Sequence, residues 1–261
     1  MTSMTLKTQL AACSSLALLA IPASAVTIVD DFNDGDDAGW TRYDPIGTAL
    51  GGSFASYSFP NGNSYRNQAP GSPNPALGPS RVGSYRGDIN QSQFVNTIDI
   101  VDWAVGTTQT FGLVSRASSF GPGTTTGYAF TMCDQCDFIQ INRITNEAFS
   151  GPTSDPDNSG SSFASVAIDP ANDYRLVFSG SGSSLTGEIF DITDLNTALA
   201  TVTATDATYQ SGNPGLLAAA FAGTTNATDA TFDNFSAAVP EPSTALISLL
   251  GLLGFLGQRR R

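Results

Sequence analysis

The feature that most constrains this chain is an alternation of apolar and polar side chains with a period of two. It recurs in short segments, each ended by glycine, proline, asparagine or serine. Tyr128, Phe130 and Met132 alternate with Ala129 and Thr131, and Ile139 and Ile141 alternate with Gln140 and Asn142. Tyr174, Leu176 and Phe178 alternate with Arg175 and Val177. Successive side chains of a strand point to opposite faces, so this period marks half-buried antiparallel strands. Further segments of this kind lie at 26–32, 53–59, 94–103, 110–116, 185–191, 200–205, 215–221 and 231–236. Away from the two ends of the chain, only 194–199 hints at a helical turn. Many short strands, abundant glycine and little helix predict an all-β protein, an antiparallel β-sandwich or jelly roll. The segment 60–80 contains five prolines and reads as a long irregular surface loop carrying Tyr65 and Arg66.

The ends differ from this body. Residues 1–25 read as a signal peptide: Lys7, an apolar run over about 10–21, then Ala23-Ser24-Ala25, with cleavage after Ala25. The apolar run is too short for a spanning helix, which needs about 17–25 residues. Leu10-Ala11-Ala12-Cys13 has the composition of a lipoprotein box, but the apolar run follows Cys13 instead of ending at it. Cys13 is therefore expected to leave with the signal. At the other end, residues 239–261 read Val239-Pro240-Glu241-Pro242-Ser243, an apolar stretch over 244–257, then Gln258 and Arg259-Arg260-Arg261. The stretch predicts a short membrane helix of about 21 Å at 1.5 Å per residue, a mismatch that flanking residues and local thinning accommodate. The arginines are a positive-inside stop, which places the body, 26–238, outside the inner membrane.

Composition removes several functions. The body holds seven arginines, no lysine and 22 acids, and the whole chain has no histidine. Such an acidic body does not seek nucleic acid, whose phosphates need cationic partners. Without histidine there is no Ser-His-Asp or Cys-His nucleophile system and no usual zinc set. Without lysine there is no Schiff base. Cys133-Asp134-Gln135-Cys136 lies between strand patterns, so in an oxidising compartment Cys133 and Cys136 are expected to form a disulfide across a hairpin. Asp99 and Asp102 are an odd number of residues apart and are expected on opposite strand faces. Asp30, Asp31, Asp34, Asp36 and Asp37 make a dense acidic cluster, either solvated turn residues or calcium ligands. Trp40, Tyr43, Tyr65, Tyr85 and Trp103, with Arg42, Arg66 and Arg86 nearby in sequence, are the aromatic and planar groups available for sugar recognition.

The tail resembles the PEP-CTERM sorting signal, in which Val-Pro-Glu-Pro-Ser precedes a short apolar helix and a terminal arginine cluster. That resemblance implies export by a Gram-negative cell that makes extracellular polysaccharide. It also implies processing by an exosortase, with a membrane-anchored precursor and a mature protein at the cell surface or outside. The order of Asp30-Asp31-Phe32-Asn33, Gly39-Trp40, Gly127-Tyr128-Ala129-Phe130, Ile139 to Ile144, Tyr174 to Phe178 and Thr231-Phe232-Asp233-Asn234-Phe235 resembles the concanavalin A-like, laminin G-like jelly roll. This second resemblance implies that a calcium ion can link the first and last strands through Asp31 and Asp233. Glycosidases of this class carry a Glu-x-Asp-x-Glu type motif, which the body lacks. No catalytic residue is assigned. The expectation is a non-catalytic surface or matrix protein with a glycan-binding, exopolysaccharide-directed sandwich; the alternative is a secreted glycan-active hydrolase.

Overall fold

In chain order the strands are β1 (Val26–Asp30), β2 (Thr41–Tyr43), β3 (Ser56–Ser58) and β4 (Tyr65–Ala69). Next come β5 (Arg81–Tyr85), β6 (Phe94–Trp103), β7 (Gln109–Ser118) and β8 (Thr126–Cys133). They are followed by β9 (Phe138–Thr145), β10 (Ala148–Ser150), β11 (Phe163–Ser165) and β12 (Tyr174–Ser181). The last four are β13 (Ser184–Asp191), β14 (Ala200–Thr205), β15 (Asn213–Ala220) and β16 (Thr228–Val239). One short helix, α1 (Pro45–Leu50), is capped by the Asp44 carboxylate, which accepts from the Gly47 N–H. The structure, a computed structural model, describes residues 26–157, 159–160, 162–221 and 226–240. The signal peptide with Ala23 and Ala25, and the tail residues Glu241, Pro242, 244–257 and Arg259, Arg260 and Arg261, lie outside the described residues. Among the described residues no helix is long and apolar enough to cross a membrane.

The strands form two antiparallel sheets of eight. The first runs β14-β13-β12-β6-β16-β4-β3, with β1 also on β16; the second runs β10-β9-β8-β7-β15-β5-β2, with β11 also on β9. Strand β16 is the spine of the first sheet. It pairs with β6 on one side and with β4 and then β1 on the other, Val26 lying opposite Val239. It ends directly before Pro240, which has no N–H to extend a ladder. The core between the sheets holds Phe111, Phe130, Met132, Ile139 and Ile141 from the second sheet. Ile98, Leu176, Phe178, Ile189 and Phe232 meet them from the first. These are the apolar members of the alternations, so the predicted all-β antiparallel sandwich is the fold the chain adopts.

Three local expectations are corrected. The segment 60–80 is not one loop: it contains β4, an inner strand of the first sheet, and Tyr65 is fully buried. Residues 194–199 form no helical turn; Asp194 accepts from the Asn196 N–H, and Leu199 N–H bonds back to Ile189. The helix present is α1 instead. Asp99 and Asp102 do share the outer face of the first sheet. A bulge between their partners on β16 resets the pleat, so Ile98, Ile100 and Trp103 all point into the core.

Candidate functional site

On the outer face of the second sheet lies a cleft of about 670 Å³. Its floor follows from strand register. Phe111, Phe130, Met132, Ile139 and Ile141 face the core, so their neighbours Thr110, Thr131, Gln140 and Asn142 face outward. Thr110 sits opposite Ala219, Thr131 between Gly112 and Gln140, and Asn142 opposite Ala129. The flanking positions are small, which leaves the floor hollow. Walls are raised around it by Pro45, Ile46 and Ala49 of α1, by Leu77 and Pro79, by Pro122 and Gly123, and by the β9–β10 turn. That turn places Asn146 and Glu147 at φ 52° and 65°, the left-handed pair of a tight hairpin.

The floor holds polar groups in an unusual condition. Thr110 is 3 % exposed, Thr131 0 % and Asn142 2 %, yet Thr110 Oγ1, Thr131 Oγ1 and Asn142 Oδ1 have no hydrogen-bond partner in the protein. A buried polar group without a protein partner costs about 1–3 kcal/mol, so water or a ligand is expected to supply the bond here, as water can at Asn67, Thr228 and Thr231 away from the cleft. Thr110, Gln140 and Asn142 line the cleft itself, and Phe149 stands at its rim, 38 % exposed.

The wall is held by an ion pair. Arg81 Nε and Nη2 donate to the Glu147 carboxylate at 3.0 and 2.8 Å, and Arg81 Nη1 donates to the carbonyls of Leu77 and Pro79. Glu147 also accepts from the Tyr43 hydroxyl and the Gly123 N–H. Burial alone would push the Glu147 carboxyl up, but Arg81, Gly123 and Tyr43 together hold it below the usual glutamate range. The same burial and the Glu147 charge push the Tyr43 phenol up. Glu147 is the one carboxylate among the described residues lining the cleft, and its role there is to join β10 to β5.

The other residues singled out in the sequence lie elsewhere. Cys133 and Cys136 are bonded, with Cα atoms 5.3 Å apart, across the 3-10 turn Asp134–Cys136 between β8 and β9. The acidic cluster is turn chemistry. Asp30 accepts from the Phe32 N–H and Trp40 Nε1, while Asp31, Asp34 and Asp36 each accept from the N–H two residues on. Asp37 pairs with Arg42 and accepts from the Tyr65 hydroxyl. Strands β1 and β16 bring Asp31 near Asp233. Burial, then the charges of Asp99, Asp31 and Asp173, raises the Asp233 pKa. Calcium takes six to eight oxygens. Among the described residues no group of three or more histidines, cysteines, aspartates or glutamates is placed to hold a metal. Melting temperatures in excess calcium and in excess chelator decide the question: a rise with calcium would show an ion held at Asp31 and Asp233, and equal values would leave the two as strand-end carboxylates.

Of the aromatic candidates, Trp40, Tyr43, Tyr65 and Trp103 are buried, and Tyr85 stacks on Phe120. Arg42, Arg66 and Arg86 pair with Asp37, Asp229 and Asp88. The floor residues Thr110, Thr131, Gln140 and Asn142 escape a sequence reading because their alternation marks them as solvent-facing. Only the loops folded over that face bury them.

Residues 238–261 match the PEP-CTERM protein-sorting motif. No curated protein sequence matches the chain. The carbohydrate binding module CBM66 from Bacillus subtilis superposes with a TM-score of 0.51 at 16 % identity, over 76 % of this chain and 94 % of that one. The basic winged bean lectin with Tn-antigen gives 0.51 at 9 %, over 84 % and 100 %. The GH43 protein BlXynB from Bacillus licheniformis gives 0.54 at 11 %, over 81 % of this chain and 39 % of that one. At these identities the likeness concerns the fold. The motif is a recognition signal for exosortase processing, and it implies export and a membrane-anchored precursor. The chain thus carries a PEP-CTERM sorting motif behind a concanavalin-like jelly-roll β-sandwich of the kind found in lectins and carbohydrate-binding modules.

Proposed function

We propose that this is an exosortase-sorted protein of the cell surface or extracellular matrix whose sandwich binds glycan without cleaving it, in the cleft over the second sheet. One observation carries the reading: buried hydroxyl and amide groups on the cleft floor lack partners. A sugar offers many hydroxyls, each able to donate and accept, and its apolar ring face suits Phe149 at the rim. Two fold neighbours, a carbohydrate binding module and a lectin bound to Tn-antigen, agree with this.

The hydrolase alternative needs two carboxylates flanking the scissile bond, about 5–5.5 Å apart for retention or 6.5–9.5 Å for inversion. The cleft offers Glu147, already engaged by Arg81, Tyr43 and Gly123. Calorimetric titration with oligosaccharides, followed by reducing-end analysis of the same samples, separates the two readings. Saturable binding with no released ends is expected, and Asn142→Ala should weaken it about tenfold, the worth of one hydrogen bond. Released ends would establish the hydrolase, and no binding to any glycan would remove the reading altogether.

A further inference from the structure

We infer that the cleft selects uncharged glycans, those without carboxylate or sulfate groups, an inference that rests on the glycan-binding reading above. The body has seven arginines and no lysine or histidine. Six arginines are paired with acids: Arg42–Asp37, Arg66–Asp229, Arg81–Glu147, Arg86–Asp88, Arg143–Asp206 and Arg175–Asp99. The seventh, Arg116, is 1 % exposed, and its guanidinium donates to the carbonyls of Gly182, Tyr209 and Ser92. Among the described residues, then, no cation stands free for an anionic ligand. Six of the body's 22 acids have an arginine partner among the described residues and the rest do not, so the body as a whole is negative and disfavours an anionic ligand.

The cleft itself repeats this logic at atomic scale. Arg81 has spent its Nε, Nη1 and Nη2 on Glu147, Leu77 and Pro79. The orphaned Asn142 Oδ1 accepts only, so it needs a donor from the ligand. A hydroxyl donates; an ionised carboxylate or a sulfate does not. Thr110 Oγ1 can then either accept from a ligand hydroxyl or donate to it. The group that completes this floor is a neutral polyol.

The test titrates the full-length protein, with chelator present and at low salt, against two panels. One holds malto-, cello-, xylo- and galacto-oligosaccharides; the other holds oligogalacturonate, alginate oligomers and dextran sulfate. Saturable binding is expected within the neutral panel and none within the acidic one. Thr110→Val and Asn142→Ala should each lower affinity for the bound sugar about tenfold. Thr110→Val should melt at or above the wild-type temperature, because it removes an orphaned hydroxyl without changing shape, and so separates lost binding from lost folding. Acidic glycans bound in a manner sensitive to Asn142→Ala would overturn the neutral selectivity while leaving glycan binding in place. Binding of acidic glycans that appears only on adding calcium would overturn it too, by showing a metal bridge. Neutral sugars bound equally by wild type and both variants would overturn the cleft as the site. Binding of neither panel would overturn the underlying reading.

Discussion

Glu147→Ala is expected to destabilise the sandwich by about 3–5 kcal/mol, the usual loss when one member of a buried ion pair is removed. The carboxylate is the meeting point of Arg81, Tyr43 and the Gly123 N–H, and both charged side chains are largely shielded from water. Alanine would leave the Arg81 guanidinium buried beside the cleft with two of its nitrogens unpaired, and it would keep the left-handed backbone at 147 without the bonds that hold it. Urea unfolding at neutral pH measures the effect. Because the folded carboxyl titrates below its unfolded value of 4.5, its contribution is complete above that value and disappears as pH falls through the folded one. The gap between wild type and variant should therefore shrink in acid. A gap under about 1 kcal/mol at neutral pH, the worth of an exposed pair, would show that the wall is solvated.

Replacing Pro240-Glu241-Pro242 with alanines is expected to abolish maturation while leaving the sandwich folded. The motif match begins at residue 238, and β16 ends at Val239, so the replaced residues follow the last ladder pair. Fractionation and mass measurement of wild type and variant check this. The variant should accumulate in the inner membrane at precursor mass, with an unchanged melting temperature once purified. Identical location and mass for both would leave the tail as a short anchor only. Neutralising Arg259, Arg260 and Arg261 should instead loosen membrane retention of the precursor.

The strands legible in the sequence are those whose inward positions are mostly apolar. β6 and β14 match their expected spans residue for residue, because Phe94 to Trp103 and Ala200 to Thr205 carry clear alternation between turn residues. β4 was hidden because its middle inward position is Asn67, a polar side chain buried in the core. β5 was hidden by Gly83 and Ser84, and β2, β10 and β11 are only three residues each. The outward pairing of Asp99 with Asp102 depends on a bulge, which leaves no mark in composition. For the site the limit was different. Thr110 and Asn142 are ordinary outward polar residues by pattern, and what makes them exceptional is the cover provided by α1 and by residues 75–79 and 146–149, far away in sequence. Glu147 is one of two glutamates in the body, but its partner Arg81 lies 66 positions away and leaves no sign in the sequence.

The position of β16 has a mechanical consequence. Any tension carried by a tail that follows Val239 enters the protein along the axis of the strand bonded to β1, β4 and β6. Such a load shears three ladders at once instead of peeling one bond at a time. An edge strand would unzip under the same pull. Lifetime under force follows the unfolding rate, so a body pulled by its last residues would hold longer with β16 bonded on both sides than with its last strand at a sheet edge.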